Sequence, residues 1–116
     1  LPKILVVEDD PFIMMWVEDA LHDAGFSVLT ATNADRAITY LENDPEITLV
    51  FTDIDMPGSM DGLKLALAVR DRWPPVHIVI ASGKHRPLAS EMPEETVFIP
   101  KPYLPRDILG AVRGFH

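Results

Sequence analysis

The chain has 116 residues, which fits one domain of ordinary size, and a formal net charge of −8 at pH 7 that argues against direct binding to nucleic-acid phosphates. It contains no cysteine, which excludes disulfides, zinc–thiolate sites and cysteine nucleophiles. Its longest apolar runs are of strand length and no signal peptide is visible, so no membrane span is expected and a cytoplasmic location fits.

The chain starts at Leu1 rather than Met, as expected of a processed chain or a piece of something longer. Lys3 to Val7 is a short apolar run that reads as a strand and ends in Glu8-Asp9-Asp10. Asp10-Pro11 reads as an N-cap with proline at the first helical position, and the helix is predicted to run to about Ala24, with Gly25 as its C-cap. Its inner face is read as Ile13, Val17, Ala20, Leu21 and Ala24, while Phe12, Met15, Trp16 and Asp19 lie on a different stripe. Phe26 to Thr32 reads as a second strand. Asn33 caps a second helix over Ala34 to Asn43, with Ala37, Ile38 and Leu41 inward.

Ile47-Thr48-Leu49-Val50-Phe51 is rich in branched and aromatic residues and reads as a third, buried strand. Thr52-Asp53-Ile54-Asp55-Met56-Pro57 follows, and Pro57, Gly58 and Gly62 end the strand and turn the chain. A helix is predicted from about Asp61 to Trp73, with Leu63, Leu67 and Val69 among its apolar positions and Pro74-Pro75 as its stop. Val76 to Ala81 is a fourth buried strand, ending in Ser82-Gly83-Lys84. His85 to Glu95 lacks helical periodicity and holds Pro87 and Pro93, so any helix there is one or two turns around Leu88 to Glu91. Thr96 to Ile99 is a fifth strand, followed by Pro100-Lys101-Pro102. A last helix begins near Pro105, with Ile108, Leu109 and Val112 inward. Leu104 stands at its N-cap position, which predicts a loose start. Strict βα alternation implies one α/β domain over residues 1–116. Its sheet is five-stranded and parallel, with helices on both faces and a short or degenerate fourth helix.

In such a sheet, ligands bind at the carboxyl ends of the strands. Four strands deliver polar groups there: Glu8 and Asp9, Asp53, Ser82, and Lys101. Gathered carboxylates repel one another, and a divalent cation and the Lys101 ammonium would offset that. An all-oxygen set suits Mg2+, and Mn2+ also fits. With the cation held by Glu8, Asp9 and Asp53, Asp53 could attack phosphorus in line and form an acyl phosphate, while Lys101 neutralises phosphoryl oxygens and Ser82 donates to one of them.

These residues resemble the receiver domain of two-component response regulators, the CheY-like superfamily. The likeness covers essentially the whole chain. It rests on Val6-Val7-Glu8-Asp9-Asp10-Pro11, on Thr52-Asp53-Ile54-Asp55-Met56-Pro57 with Met60-Asp61-Gly62-Leu63, on Ser82-Gly83, and on Lys101-Pro102. It implies a flavodoxin-like strand order 2-1-3-4-5 and a phospho-accepting signalling switch rather than an enzyme. By that likeness Asp53 is the phospho-acceptor, and Glu8, Asp9, Asp53 and the Asp55 backbone carbonyl serve the Mg2+. Ser82 and Lys101 contact the phosphoryl group, Phe98 is the aromatic switch residue, and Asp55 and Lys84 tune phosphoryl lifetime. The Lys101-Pro102 peptide is often cis in such domains. The implied partners are a histidine kinase or histidine-phosphotransfer protein, for which Phe12, Met15 and Trp16 form a docking patch, and a downstream protein target or linked effector domain.

The chain also departs from the family's pattern. Glu8 replaces the more frequent Asp, so its longer side chain is expected to reach the metal through water. The loop from Met56 to Gly62 reads as one residue longer than in many relatives. Packing of the Phe12 stripe against the last helix, near Phe115, is the competing account of that patch. The histidines His22, His77, His85 and His116 show no metal-ligand spacing, and the methionines read as core filler. Asp53-Ile54-Asp55 also resembles the nucleophile motif of haloacid-dehalogenase-type phosphatases, in which Asp55 would be a general acid. In that family, however, the motif usually lies on the first strand.

Overall fold

A computed structural model describes residues 3–55, 61–83 and 86–115. Five strands form one parallel sheet in the order β2-β1-β3-β4-β5: β1 Lys3–Val7, β2 Ser27–Ala31, β3 Ile47–Asp53, β4 His77–Ser82 and β5 Thr96–Pro100. Four α-helices cover it: α1 Pro11–Asp23, α2 Ala34–Asn43, α3 Gly62–Arg72 and α4 Pro105–Arg113. No helix among the described residues is long and apolar enough to cross a membrane.

Side chains alternate across a strand, and the sheet buries both faces. Leu5, Val7, Val50, Ile78 and Ile80 pack against α2 and α3 through Ala37, Leu41, Leu65, Ala66 and Val69. Ile4, Val6, Leu49, Phe51, Val79 and Ile99 pack against α1 and α4 through Val17, Leu21, Ile108 and Val112. A parallel sheet clad on both sides explains why its strands read as continuous apolar runs.

The helix ends follow from local chemistry. The Asp10 carboxylate accepts from the amides of Phe12 and Ile13 at 2.9 and 3.3 Å, and Pro11 follows it. Asn33 and Asp61 cap α2 and α3 in the same way, accepting from Arg36 and Lys64. Gly25 leaves α1 with φ 94°, a left-handed conformation that glycine adopts without strain. The start of α4 is not loose as Leu104 predicts. Asp107, three residues on, accepts from the Leu104 amide at 2.8 Å and supplies the reach-back half of a capping box.

Between β4 and β5 the described residues hold only a three-residue 3-10 turn, Ala89–Glu91. The degenerate helix expected there is thus a single turn. The segment is tied to α3 at one point, where Arg70 donates to the Glu94 carbonyl at 3.1 Å; the same guanidinium donates to the Pro74 and Val76 carbonyls ahead of β4 at 2.8 and 3.2 Å.

The apolar faces need correction at three positions. Met14, not Ile13, is the fully buried residue of the first turns of α1, and Ile13 is only half-buried. Leu67 is exposed on α3, where Leu65 and Ala66 face the sheet instead. Met15 is exposed and so is not core filler. The loop from Met56 to Met60, including the expected insertion and the turn at Pro57 and Gly58, lies outside the described residues, as do Lys84, His85 and His116.

Candidate functional site

The carboxyl ends of β1, β3, β4 and β5 meet at one edge. Alternation decides which face each side chain takes there. Glu8 continues the series Ile4, Val6, and Asp53 continues Leu49, Phe51, so both carboxylates stand on the α1/α4 side. Glu8 still donates its amide to the Ala31 carbonyl at 3.0 Å, which carries the ladder one residue past β1. Lys101 continues Val97, Ile99 on that same side, and its amide reaches the Ser82 carbonyl at 3.0 Å. The Lys101–Pro102 peptide is cis. Ser82 continues Ile78, Ile80 and so falls on the opposite, α2/α3 side.

Burial makes this edge electrostatically severe. Glu8 is 2% exposed and Asp53 3%. Oxygens of Glu8, Asp9 and Asp53 all lie within 4.8 Å of one another. Lys101 Nζ stands 3.0 Å from Asp53 Oδ2 and 3.5 Å from Glu8 Oε1. The first is a charge-assisted hydrogen bond; the second is an ion pair too long to be a good one. Burial pulls the Lys101 ammonium down, but the Asp53 hydrogen bond and the Glu8 charge outweigh it and leave its pKa raised. Burial and the Asp53 charge push Glu8 up to about 7, although the Asp10 amide donates to its Oε2 at 3.1 Å.

Glu8 Oε1 is buried and has no hydrogen-bond partner among the described residues. A buried anionic oxygen with two further carboxylates beside it is what a hard divalent cation would satisfy. The donor set therefore fits Mg2+ or Mn2+.

Two glycines let the backbone close on this point. A Cβ on Gly62 would lie 1.8 Å from the Asp53 carbonyl oxygen, so α3 can start against the end of β3 only without a side chain. A Cβ on Gly83 would meet Lys101 Cβ at 3.1 Å, so Gly83 gives room to the lysine stem.

Ser82 does not reach Asp53. Its hydroxyl donates to Asp55 Oδ2 at 3.1 Å, while the Asp55 amide donates to Asp53 Oδ1 at 3.2 Å. Asp55 thus bridges the two. The pairing of Asp55 with Lys84 lies outside the described residues. Phe98 is half-buried against the α2/α3 layer, with the Arg86 guanidinium 4.9 Å over its ring.

Phe12 is 81% exposed and Met15 57%, with Trp16 partly exposed beside them. The Trp16 ring stacks on Tyr103 at 5.5 Å. Phe115 is not near this patch in the way the competing account needs, because its ring stacks on His77 of β4 at 4.4 Å. A cleft of about 420 Å³ opens beside the site, lined by Ile13, Trp16, Gly83, Lys101, Pro102 and Tyr103. Tyr103 is the residue that sequence reasoning passed over. The available signal was an aromatic residue two positions past the lysine, and nothing in the pattern marks its hydroxyl as buried.

The response regulator receiver domain profile matches residues 4–113. The chain is 31% identical over 116 residues to the transcriptional regulatory protein BaeR of Escherichia coli O6:H1, covering 97% of this chain and 47% of that protein. It is 32% identical to the transcriptional regulatory protein AruR of Pseudomonas aeruginosa, covering 98% of this chain and 49% of that protein. The chain thus spans about half the length of these curated relatives. Among solved structures, a response regulator receiver protein from Sinorhizobium medicae superimposes with a TM-score of 0.90 at 30% identity, covering 98% of this chain and 93% of that one. The chemotaxis response regulator CheY4 of Vibrio cholerae gives 0.89 at 25% identity, covering 100% and 99%.

Proposed function

The chain belongs to the response regulator receiver domain family, and from that premise we propose that Asp53 accepts a phosphoryl group from a histidine kinase or histidine-phosphotransfer protein. The observation that carries the reading is the cluster of Glu8, Asp9 and Asp53 oxygens within 4.8 Å, with the Lys101 ammonium 3.0 Å from Asp53. A phosphatase of the haloacid-dehalogenase type is set aside by the family match and by the motif's place on the third strand in sequence.

An Asp53 carboxylate oxygen attacks phosphorus. The bond from phosphorus to the donor's imidazole nitrogen breaks, and that nitrogen keeps the electron pair. The product is an acyl phosphate on Asp53. Lys101, already held at Asp53, compensates charge on the phosphoryl oxygens. A divalent cation held by Glu8, Asp9, Asp53 and the Asp55 carbonyl would supply further charge compensation on those oxygens. The new group adds roughly −1.5 to −2 charge and three acceptor oxygens. Ser82 then leaves Asp55 to donate to one of them, and its loop follows.

The exposed Phe12 and Met15, with Trp16 at the rim of the cleft beside Lys101, give the donor protein an apolar foothold next to the reacting carboxylate. The output goes to a downstream protein or a covalently linked effector domain. Mass spectrometry after acetyl phosphate and Mg2+ tests the central step. Wild type gains one phosphoryl group and Asp53→Ala gains none. Equal labelling of the two would refute the assignment.

A further inference from the structure

One buried group at this edge has no role in the chemistry above. Tyr103 is 8% exposed, and its hydroxyl has no hydrogen-bond partner among the described residues. Buried hydroxyls are normally paired, and tyrosine is used in cores where its O–H can reach a partner. Two other side-chain atoms share this condition among the described residues: Glu8 Oε1 and Thr96 Oγ1. Thr96 begins β5 at the far end of the sheet and, two residues before Phe98, faces the α2/α3 side. Tyr103 and Glu8 stand at the same edge and on the same side. One is a donor and the other an acceptor.

Their placement is fixed by packing. The Tyr103 ring meets Phe51 edge-on at 5.9 Å. Phe51 is paired with Val6, and two residues further along these strands come Asp53 and Glu8. Lys101, two residues before Tyr103, ion-pairs with both carboxylates. Burial first, then the Glu8 and Asp53 charges, push the phenol's pKa upward, so it stays protonated.

We propose that Tyr103 is a positioning residue of the cation site, its hydroxyl donating through a buried water to Glu8 Oε1. A water at that point has the two to four polar partners it requires: the phenol, Glu8 and the ion. The arrangement suits glutamate, whose added methylene relative to aspartate lets the carboxylate swing, so that a second contact is needed to hold it. The inference rests on the reading of Glu8, Asp9 and Asp53 as a cation site.

The full chain labelled with 13Cζ-tyrosine tests it by Mg2+ titration. The chain has two tyrosines, and Tyr40 on α2, in the opposite layer, serves as the internal reference. The Tyr103 signal is expected to move to saturation with Mg2+ while Tyr40 stays still. In calorimetry Tyr103→Phe weakens Mg2+ binding about ten-fold, as removal of an outer partner of a metal ligand typically does. Its urea midpoint in chelator changes little, because phenylalanine keeps the ring's packing on Phe51 and Trp16 and loses only the hydroxyl. If wild type binds Mg2+ and Asp53→Asn does not, a silent Tyr103 signal or an unchanged affinity in Tyr103→Phe overturns the role and leaves the site intact. If wild type takes up no Mg2+, the site reading itself fails and the role of Tyr103 falls with it. Should Tyr103→Phe prove too unstable to titrate, the wild-type signal alone decides.

Discussion

Lys101 is the only cation among the described residues that pairs with the buried carboxylates, at 3.0 Å from Asp53 and 3.5 Å from Glu8. Removing one partner of a buried ion pair leaves uncompensated charge, which costs several kcal/mol when burial is complete. Lys101 keeps about a fifth of its side chain in solvent, so screening reduces this, and Lys101→Ala is expected to lose about 2 kcal/mol in chelator. Saturating Mg2+ should recover much of the loss, because it supplies positive charge to the same oxygens. Urea denaturation with and without Mg2+ measures both, and an equal loss in the two conditions would contradict the account. Lys3 and Asp44 form a simpler pair, 2.7 Å apart at the opposite end of the sheet. The lysine hydrogen bond holds Asp44 below its ordinary 3.8, and the same bond raises Lys3 above 10.5. A carboxylate lowered in the fold contributes stability above its unfolded pKa and loses it as pH falls through the folded value. That contribution should therefore disappear on acidification below pH 3.8. Carboxyl NMR should give Asp44 a depressed midpoint in wild type and a higher one in Lys3→Ala, where the Glu46 amide still donates to it at 3.0 Å.

At the scale of elements, Gly62 at the start of α3 sits hard against the end of β3. Gly62 donates its amide to the Ile54 carbonyl at 3.1 Å, and an added Cβ would sit 1.8 Å from a backbone oxygen that cannot yield. Gly62→Ala is expected to cost more than about 3 kcal/mol, beyond ordinary overpacking, because strand or helix must shift as a unit. Urea midpoints would show it, and a loss under about 1 kcal/mol would mean that the junction is pliable. Gly62, expected from the sequence to help turn the chain, is instead the first residue of α3. Turn signals are local, whereas this glycine answers to a backbone nine residues earlier. The cap of α4 was hidden for a similar cause: Leu104 cannot cap, and the partner that does, Asp107, lies inside the helix. On α1 Val17 and Leu21 lie inward as expected, and only the first turn differs, since Ile13, Met14 and Met15 are all apolar and packing selects Met14. Helices begun by Asp-Pro or Asn, and strands of branched residues, were legible because a single residue's chemistry decides them.

Across the whole molecule, the side-to-side alternation of the strands divides the work of the site. Glu8, Asp53 and Lys101 gather on the α1/α4 side, next to the exposed Phe12 and Met15 and the cleft under Trp16. The convergence of these charges at one edge could be read from parallel strands that each end in a polar group. That the Ser82 hydroxyl turns to Asp55 could not, because it depends on how the residues after β3 lie against the end of β4. The division predicts that the Phe12→Ala, Trp16→Ala double variant slows phosphotransfer from a histidine kinase several-fold or more while labelling by acetyl phosphate stays unchanged. A loss with both donors would point to damaged packing on Tyr103 rather than a lost docking surface. Ser82 and Phe98 share the other side, that of α2 and α3. Phe98 has no hydroxyl, so it can report the state of the site only by changing its packing. Its ring is held on one side by the apolar layer and on the other by the Arg86 guanidinium at 4.9 Å, a contact worth about 0.5–1 kcal/mol at an exposed position. On the proposed switch, Ser82 leaves Asp55 for the phosphoryl group and the Phe98 ring is expected to move inward, away from Arg86. Beryllofluoride with Mg2+, a stand-in for the phosphoryl group, should shift the Phe98 ring resonances. Arg86→Ala should bring those of the unliganded protein part of the way toward the same position. Ring signals that ignore beryllofluoride would sever Phe98 from the switch, and signals that respond to it but not to Arg86→Ala would show that the cation does not restrain the ring.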